Sequence, residues 1–113
     1  MHELVIVEGI LETVIPEVQK YNVSKILKIR LKIGDLSGVV PRCVHEYFGI
    51  AAAGTIAEGA KLEIESIPVR IRCSTCGYDG VLGKVRYLCP SCGGTDFRIT
   101  QGKEYYIENV EAE

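Results

Sequence analysis

Four of the five cysteines of this 113-residue chain fall in two Cys-x-x-Cys pairs with twelve residues between them. Each pair can bring two sulfurs to one side of a tight turn, and two such turns can complete a tetrahedron of thiolates. Zn2+ accepts that geometry, and four protein ligands leave no position open for catalysis. A glycine follows each pair and can take the positive φ that turns backbone N–H groups toward the sulfurs. The spacing predicts one structural zinc site, whose ligands are Cys73, Cys76, Cys89 and Cys92.

The alternatives for these cysteines are iron, two unrelated redox-active dithiols, or free buried cysteines. The two pairs are similar to the knuckles of a rubredoxin, but rubredoxins have a longer segment between the knuckles and a tryptophan in an aromatic core. This chain has no tryptophan and a short segment, so the ligand spacing favours zinc. Cys43 stands apart from the pairs and is interpreted as a small buried hydrophobic residue.

The second chemical feature is His2, which lies beside Met1. The first N–H groups of a helix have no intrahelical partner, so the amides of His2 and Glu3 can lose protons to a metal without breaking a helix that begins here. Amide nitrogens and an imidazole together form small chelate rings that suit planar Ni(II) or Cu(II). The alternative is an ordinary solvated histidine.

Composition narrows the classes of function. A net charge of -2 and a pI of about 5.7 argue against a nucleic-acid binder. No apolar run approaches the roughly 18 residues of a membrane span, and Glu3 and Glu8 interrupt the start of the chain, so it does not read as a signal peptide. We therefore expect a cytoplasmic protein with reduced cysteines. Because no phosphate-binding loop, nucleophile elbow or H-E-x-x-H motif is present, we expect no enzyme.

Two helices are predicted ahead of the cysteines. Apolar residues recur at helical spacing from Glu3 to Tyr21, and Pro16 is expected to kink this helix or split it into two pieces. A second helix is predicted from Pro41 to Gly59. The residues expected on the buried side of the first helix are Leu4, Val7, Leu11, Val14, Ile15, Val18 and Tyr21.

Strict alternation from Leu27 to Ile33 predicts a strand that buries Leu27, Ile29, Leu31 and Ile33. Further strands are predicted at 61–66, 97–100 and 104–110, and the last is expected to return to the first sheet. The predicted fold class is α+β: a small mixed sheet of about three strands with two helices, plus an inserted zinc-ribbon module. The predicted domains are 1–68 with 97–113, which would bind nickel, and the zinc ribbon at 69–96.

Several segments together resemble the HypA family, the nickel-incorporation proteins of [NiFe]-hydrogenase maturation. The resemblance covers nearly the whole chain. Its segments are Met1-His2-Glu3-Leu4, the run from Ile29 to Pro41, Ala57-Glu58-Gly59-Ala60, Pro68-Val69 and the two cysteine pairs.

That resemblance implies a metallochaperone that carries Ni2+ as transient cargo and passes it to the hydrogenase large subunit. It implies a GTP-hydrolysing partner, HypB; some relatives also supply urease, which adds urease maturation proteins to the candidate partners. The implied nickel ligands are His2, through imidazole and amide, the Glu3 amide and the Met1 amine. The implied ligands of structural Zn2+ are the four cysteines. The chain lacks the histidines that some members carry beside those cysteines.

The alternative from another class is a zinc-ribbon adaptor that binds nucleic acid or a transcription complex. Basic residues on the predicted strand alternate with buried ones, which is typical of a solvated strand face, and aromatic residues are not interleaved with them as stacking requires. A redox carrier with iron at the cysteines is a third class. The basic residues available to an adaptor are Lys25, Lys28, Arg30, Lys32, Arg70, Arg72, Lys84 and Arg86.

Overall fold

The structure is a computed structural model that describes residues 3–83 and 86–113. Neither helix in these two ranges is long and apolar enough to cross a membrane. The predicted α+β class, with two helices, a small mixed sheet and a cysteine module, is confirmed. In chain order the elements are α1 (Glu3–Gln19), β1 (Ile26–Gly34), α2 (Pro41–Ala51), β2 (Lys61–Ile67), β3 (Arg70–Cys73), β4 (Asp79–Val81), β5 (Phe97–Gln101) and β6 (Tyr105–Ala112).

The first sheet has the strand order β2-β1-β6. β1 runs parallel to β2 and antiparallel to β6, so the sheet is mixed. Parallel neighbours need a crossover connection, which α2 supplies here. The pairing of β6 with β1 confirms that the last strand returns to the first sheet. The second sheet, which carries the cysteines, is therefore inserted between β2 and β6.

One face of the first sheet is buried beneath the helices. Ile29 and Leu31 are completely buried in β1, and they share a core with Val7 of α1 and Val44 of α2. Burial of such a side chain contributes about 1.5–3 kcal/mol to folding. This core contains none of the paired cysteines.

A bulge interrupts the predicted alternation of β1. The register with β6 shifts between Ile26 and Lys28, because two residues of β1 occupy the space of one at that point. Ile26 is buried as a result, and Leu27 is 40% exposed. The prediction that Leu27 faces the core is therefore wrong.

α1 runs without a break from Glu3 to Gln19, so Pro16 does not split it. Pro16 removes only one intrahelical hydrogen bond, and it does so in the last turn, where few residues follow. Leu4 and Tyr21 are exposed rather than buried, and Ile10 takes a place in the core. Tyr21 lies beyond the end of the helix.

α2 ends at Ala51, not at Gly59 as predicted. Gly54 and Gly59 both have φ near +80°, which a right-handed helix cannot contain. The Gly54 N–H donates to the Glu58 carboxylate at 2.7 Å, which stabilises the turn that replaces the helix. Ala57 is nevertheless buried.

The other face of the first sheet carries ion pairs. Lys28 Nζ lies 3.0 Å from Glu111 Oε2, and Lys32 Nζ lies 3.2 Å from Glu108 Oε2. Hydrogen bonds to those carboxylates raise the pKa of both lysines. Arg30 lies between them, 4.0 Å from Glu108. The basic residues of β1 are thus balanced by acidic neighbours on a solvated face.

The second sheet is antiparallel and has the order β4-β3-β5. β5 hydrogen-bonds to β3. The predicted division had grouped β5 with the first sheet. The predicted boundary at residue 97 therefore does not coincide with the end of the second sheet. The division of the chain into two domains stays a prediction. The small core of the second sheet consists of Val69, Ile71, Cys73, Leu82 and Cys89.

The two sheets meet at a junction formed by the loop after β1. The Gly34 N–H donates to the Glu104 carbonyl, and the Leu36 N–H donates to the Gly102 carbonyl, both at 2.7 Å. The Leu36 side chain packs against the core of the second sheet. A loop of the first sheet therefore supplies part of the support for the cysteine module.

Candidate metal centre

The first cysteine pair begins at the end of β3 and continues into a tight turn. The Cys73 N–H donates to the Tyr78 carbonyl at 2.8 Å, and the Gly77 N–H donates to the Cys73 carbonyl at 3.1 Å. Gly77 has a φ of 79°, a conformation that residues with a Cβ rarely adopt. The turn places Cys76 on the same side as Cys73.

The second pair repeats this construction. The Cys89 N–H donates to the Gly94 carbonyl at 2.9 Å, and the Gly93 N–H donates to the Cys89 carbonyl at 2.8 Å. Gly93 has a φ of 74°. The positive φ predicted for the glycine after each pair is confirmed, and the two turns present their sulfurs to a common point.

The four sulfurs form one cluster. All of them lie within 4.8 Å of one another. Sγ of Cys73 lies 3.7 Å from that of Cys92, and Sγ of Cys76 lies 3.6 Å from that of Cys89. A tetrahedral zinc site with Zn–S bonds of about 2.3 Å requires sulfurs about 3.8 Å apart. The cluster therefore fits a structural zinc site.

Two cysteines of the cluster are buried and two are exposed. Cys73 and Cys89 are each 3% exposed and belong to the core of the second sheet, whereas Cys76 and Cys92 are exposed at the surface. A metal held by all four thiolates would have two ligands anchored in the core and two at the tips of the turns. With four protein ligands it would offer no open position to a substrate.

The two exposed thiols, Cys76 and Cys92, have pKa values shifted in opposite directions. The Tyr78 N–H stabilises the thiolate of Cys76 and lowers its pKa to about 7. At Cys92 the Gly94 N–H acts in the same direction, but desolvation by neighbouring atoms and the three other thiols together raise the pKa to about 11. A metal binds cysteines as thiolates, and a cation offsets the repulsion among four crowded thiolates. Metal binding here should therefore release protons and weaken as the pH falls.

The predicted nickel ligands lie at the start of α1. Met1 and His2 are outside the described residues. Glu3 is the first residue of α1 and is only 2% exposed. Its Oε2 accepts a hydrogen bond from the Val40 N–H at 3.2 Å, so its carboxylate is directed to the residue that precedes α2.

No second group of three or more His, Cys, Asp or Glu within residues 3–83 and 86–113 is placed to hold a metal. His45 is exposed on α2, and Cys43 is half-buried on the same helix, less deeply than predicted. Sequence reasoning missed two supporting residues, Leu36 and the carboxylate of Glu3. Neither has a local signal, since each acts through a contact with a segment remote in the chain.

The family model for "Hydrogenase/urease nickel incorporation, metallochaperone, hypA" matches residues 1–112. Among similar curated proteins, the hydrogenase maturation factor HypA of Caldanaerobacter subterraneus is 36% identical over the full length of both chains. That of Dehalococcoides mccartyi is 37% identical over 100% of this chain and 95% of its own.

Two solved structures share the fold. The solution structure of the Ni metallochaperone HypA from Helicobacter pylori has a TM-score of 0.65 at 23% identity, covering 99% of this chain and 97% of that one. A second solution structure of a HypA protein has a TM-score of 0.72, also at 23% identity, covering 100% of this chain and 97% of that one. The family model and the curated relatives together show that the chain belongs to the HypA family of nickel-incorporation metallochaperones for hydrogenase maturation.

Proposed function

We propose that this protein binds Ni2+ at its N-terminus and delivers it to the large subunit of a [NiFe]-hydrogenase. The observation that carries the proposal is the match to the nickel-incorporation family over residues 1–112, which includes the N-terminal segment. The ligands are His2, through its imidazole and amide, the amide of Glu3 and the Met1 amine.

The setting of Glu3 supports this ligand set. Glu3 lies in the first turn of α1, where N–H groups take no part in the helix's own hydrogen bonds, so a metal can replace its amide proton without breaking α1. Its carboxylate is held by the Val40 N–H. The side chain therefore anchors the ligand segment beside α2, and the residue contributes its backbone nitrogen to nickel.

The cysteine cluster has a different task in this proposal. Zn2+ bound by Cys73, Cys76, Cys89 and Cys92 would hold the two turns together and complete the core of the second sheet. Iron in the same cluster is the competing occupant. Elemental analysis and colour separate the two, because a ferric tetrathiolate is red and a zinc site is colourless. Metal content equal to wild type in all four single Cys→Ala variants would exclude this ligand set.

Nickel titration of the zinc-loaded protein, with the chain starting at Met1, tests the nickel site. Ni(II) bound by deprotonated amides is planar and low-spin, so a yellow absorption band should grow to saturation in the wild type. His2→Ala removes the imidazole and should abolish the band and most of the heat of binding. Binding should weaken toward pH 6, because both the amides and the imidazole then keep their protons.

His45→Ala is the matched control, since it removes the other histidine of the chain from an exposed position on α2. It should bind nickel like the wild type. If His2→Ala retains wild-type nickel affinity, the proposed site is wrong, and the adaptor function becomes the better hypothesis.

The partners follow from the same proposal. The chain has no phosphate-binding loop of its own, which is consistent with a separate GTPase, HypB, that drives the transfer. Urease maturation is the second candidate destination, because the matching family model is described for hydrogenase and urease alike. The adaptor alternative is weakened by the ion pairs that neutralise Lys28 and Lys32.

A further inference from the structure

Charge is divided unevenly between the two parts of this chain. Residues 69–103 contain six Lys or Arg and two Asp or Glu, whereas all the other residues together contain seven and thirteen. The segment that forms the second sheet therefore has a formal net charge of +4, and the rest of the chain has a formal net charge of -6. A bound Zn2+ with four thiolates would lower the first figure by only two.

Much of this positive charge lies on one face of the second sheet. Along β3, the buried residues Ile71 and Cys73 face the core, and Arg70 and Arg72 face solvent. Arg98 of β5 is directly opposite Arg72 in the antiparallel register and is also exposed. Three guanidinium groups thus share the solvent face, on the side opposite the core.

One carboxylate already binds to this face. Asp79 of β4 lies opposite Arg72 on the other side, and its carboxylate accepts a hydrogen bond from Arg72 Nη2 at 3.2 Å and approaches Arg70 at 4.0 Å. Within residues 3–83 and 86–113, Arg98 has no such acidic partner. Like charges directly opposite one another in a sheet are unfavourable, so the free protein keeps the Arg72–Arg98 pair without an evident benefit to its own stability.

We propose that Arg72 and Arg98 bind the carboxylates of an acidic segment on a partner protein. The planar guanidinium fork matches a carboxylate in a bidentate manner, and Asp79 is an intramolecular example of the same contact. A nucleic acid fits this face less well, because the nearby aromatic residues Tyr78 and Phe97 pack against the core instead of offering stacking surfaces.

The probe is an acetylated, amidated hexaglutamate peptide, with hexaglutamine as its uncharged control, added to the full-length zinc-loaded protein. Hexaglutamate should shift the Nε–H resonances of Arg72 and Arg98, and its affinity should fall as NaCl is raised. Arg98→Gln should weaken binding about fivefold, the factor that corresponds to loss of one exposed, well-formed ion pair. Arg42→Gln removes an exposed arginine from α2 and should leave the affinity unchanged.

Zinc content separates this role from a structural one. If Arg98 serves only to offset the charge of the thiolates, Arg98→Gln will lose zinc, and the proposal fails. It also fails if hexaglutamate binds Arg98→Gln and wild type equally, or if a single-stranded oligonucleotide shifts the two arginine resonances at lower concentration than the peptide does. Zinc retained with weakened peptide binding supports it. The test is independent of nickel, so it can succeed or fail whatever the outcome at the N-terminus.

Discussion

Gly34→Ala tests the junction between the two sheets directly. A Cβ on Gly34 would overlap the backbone carbonyl group of Gly102 and would lie 2.9 Å from the Glu104 carbonyl oxygen. All of these atoms belong to the main chain, so no side-chain rotation can relieve the overlap. Either the loop after β1 or the segment that leads into β6 must move away.

That movement gives the size of the effect. It would break the hydrogen bonds from Gly34 to Glu104 and from Leu36 to Gly102, each worth about 0.5–1.5 kcal/mol net. Overpacking of this kind adds about 1–3 kcal/mol. The expected loss in the free energy of unfolding is therefore about 2–6 kcal/mol, a large part of the 5–15 kcal/mol typical of a domain.

Urea unfolding followed by far-UV circular dichroism measures this loss. Gly49→Ala is the matched control, because Gly49 lies in α2, and no atom beyond its chain neighbours and its own helix backbone lies within 4 Å of an added Cβ. It should stabilise the protein by about 0.5–1 kcal/mol, since alanine favours the helix. If Gly34→Ala unfolds at the wild-type urea concentration, the close contact at this junction does not exist in solution.

Three further predictions concern other parts of the molecule. Glu3→Ala removes the acceptor of the Val40 N–H and should lower the free energy of unfolding by about 1–3 kcal/mol, as urea unfolding will measure; an unchanged value would refute the anchoring role. N–H groups of Glu104 itself and of Gly102 bind the Glu104 carboxylate and lower its pKa. The ionised Glu104 side chain therefore contributes fully to stability above the ordinary glutamate pKa, and this contribution is lost as pH falls through the lowered pKa. Glu104→Gln should reduce the drop in melting temperature that acid causes, and a drop equal to that of the wild type would contradict this. Stripping zinc with a chelator should expose the second sheet to protease while most of the helical circular dichroism remains, because the core beneath the helices contains no metal ligand; cooperative loss of the whole signal would show that the two parts do not fold separately.

The metal cluster was predictable from the sequence because its geometry is local. Two residues between cysteines and a glycine after each pair largely determine each turn, and the structure brings the four sulfurs together as the spacing indicates. The core of the first sheet was predictable for a similar reason, since alternation along β1 reports which face is buried. Met1 and His2 lie outside the described residues, so their role in nickel binding stays a prediction.

Three features that the sequence could not predict depend on a distant partner. The bulge that exposes Leu27 arises where β1 pairs with β6, from the other end of the chain. Alternation in β5 predicts a strand but does not say which sheet it joins, and β5 joins the second one. Leu36 reads as a loop residue, yet it packs under the cysteine module.

The insertion of the second sheet between β2 and β6 also has a consequence for the order of folding. β6 cannot reach β1 until residues 68–104 have brought their two ends together, and closing a flexible loop of that length costs about 3 kcal/mol in chain entropy. Within the second sheet, Arg70 is paired with Gln101, so a folded cysteine module already holds those ends side by side. Zinc bound by the nascent or refolding chain should therefore increase the rate at which β6 pairs with β1. The metal would accelerate completion of a sheet to which it contributes no contact.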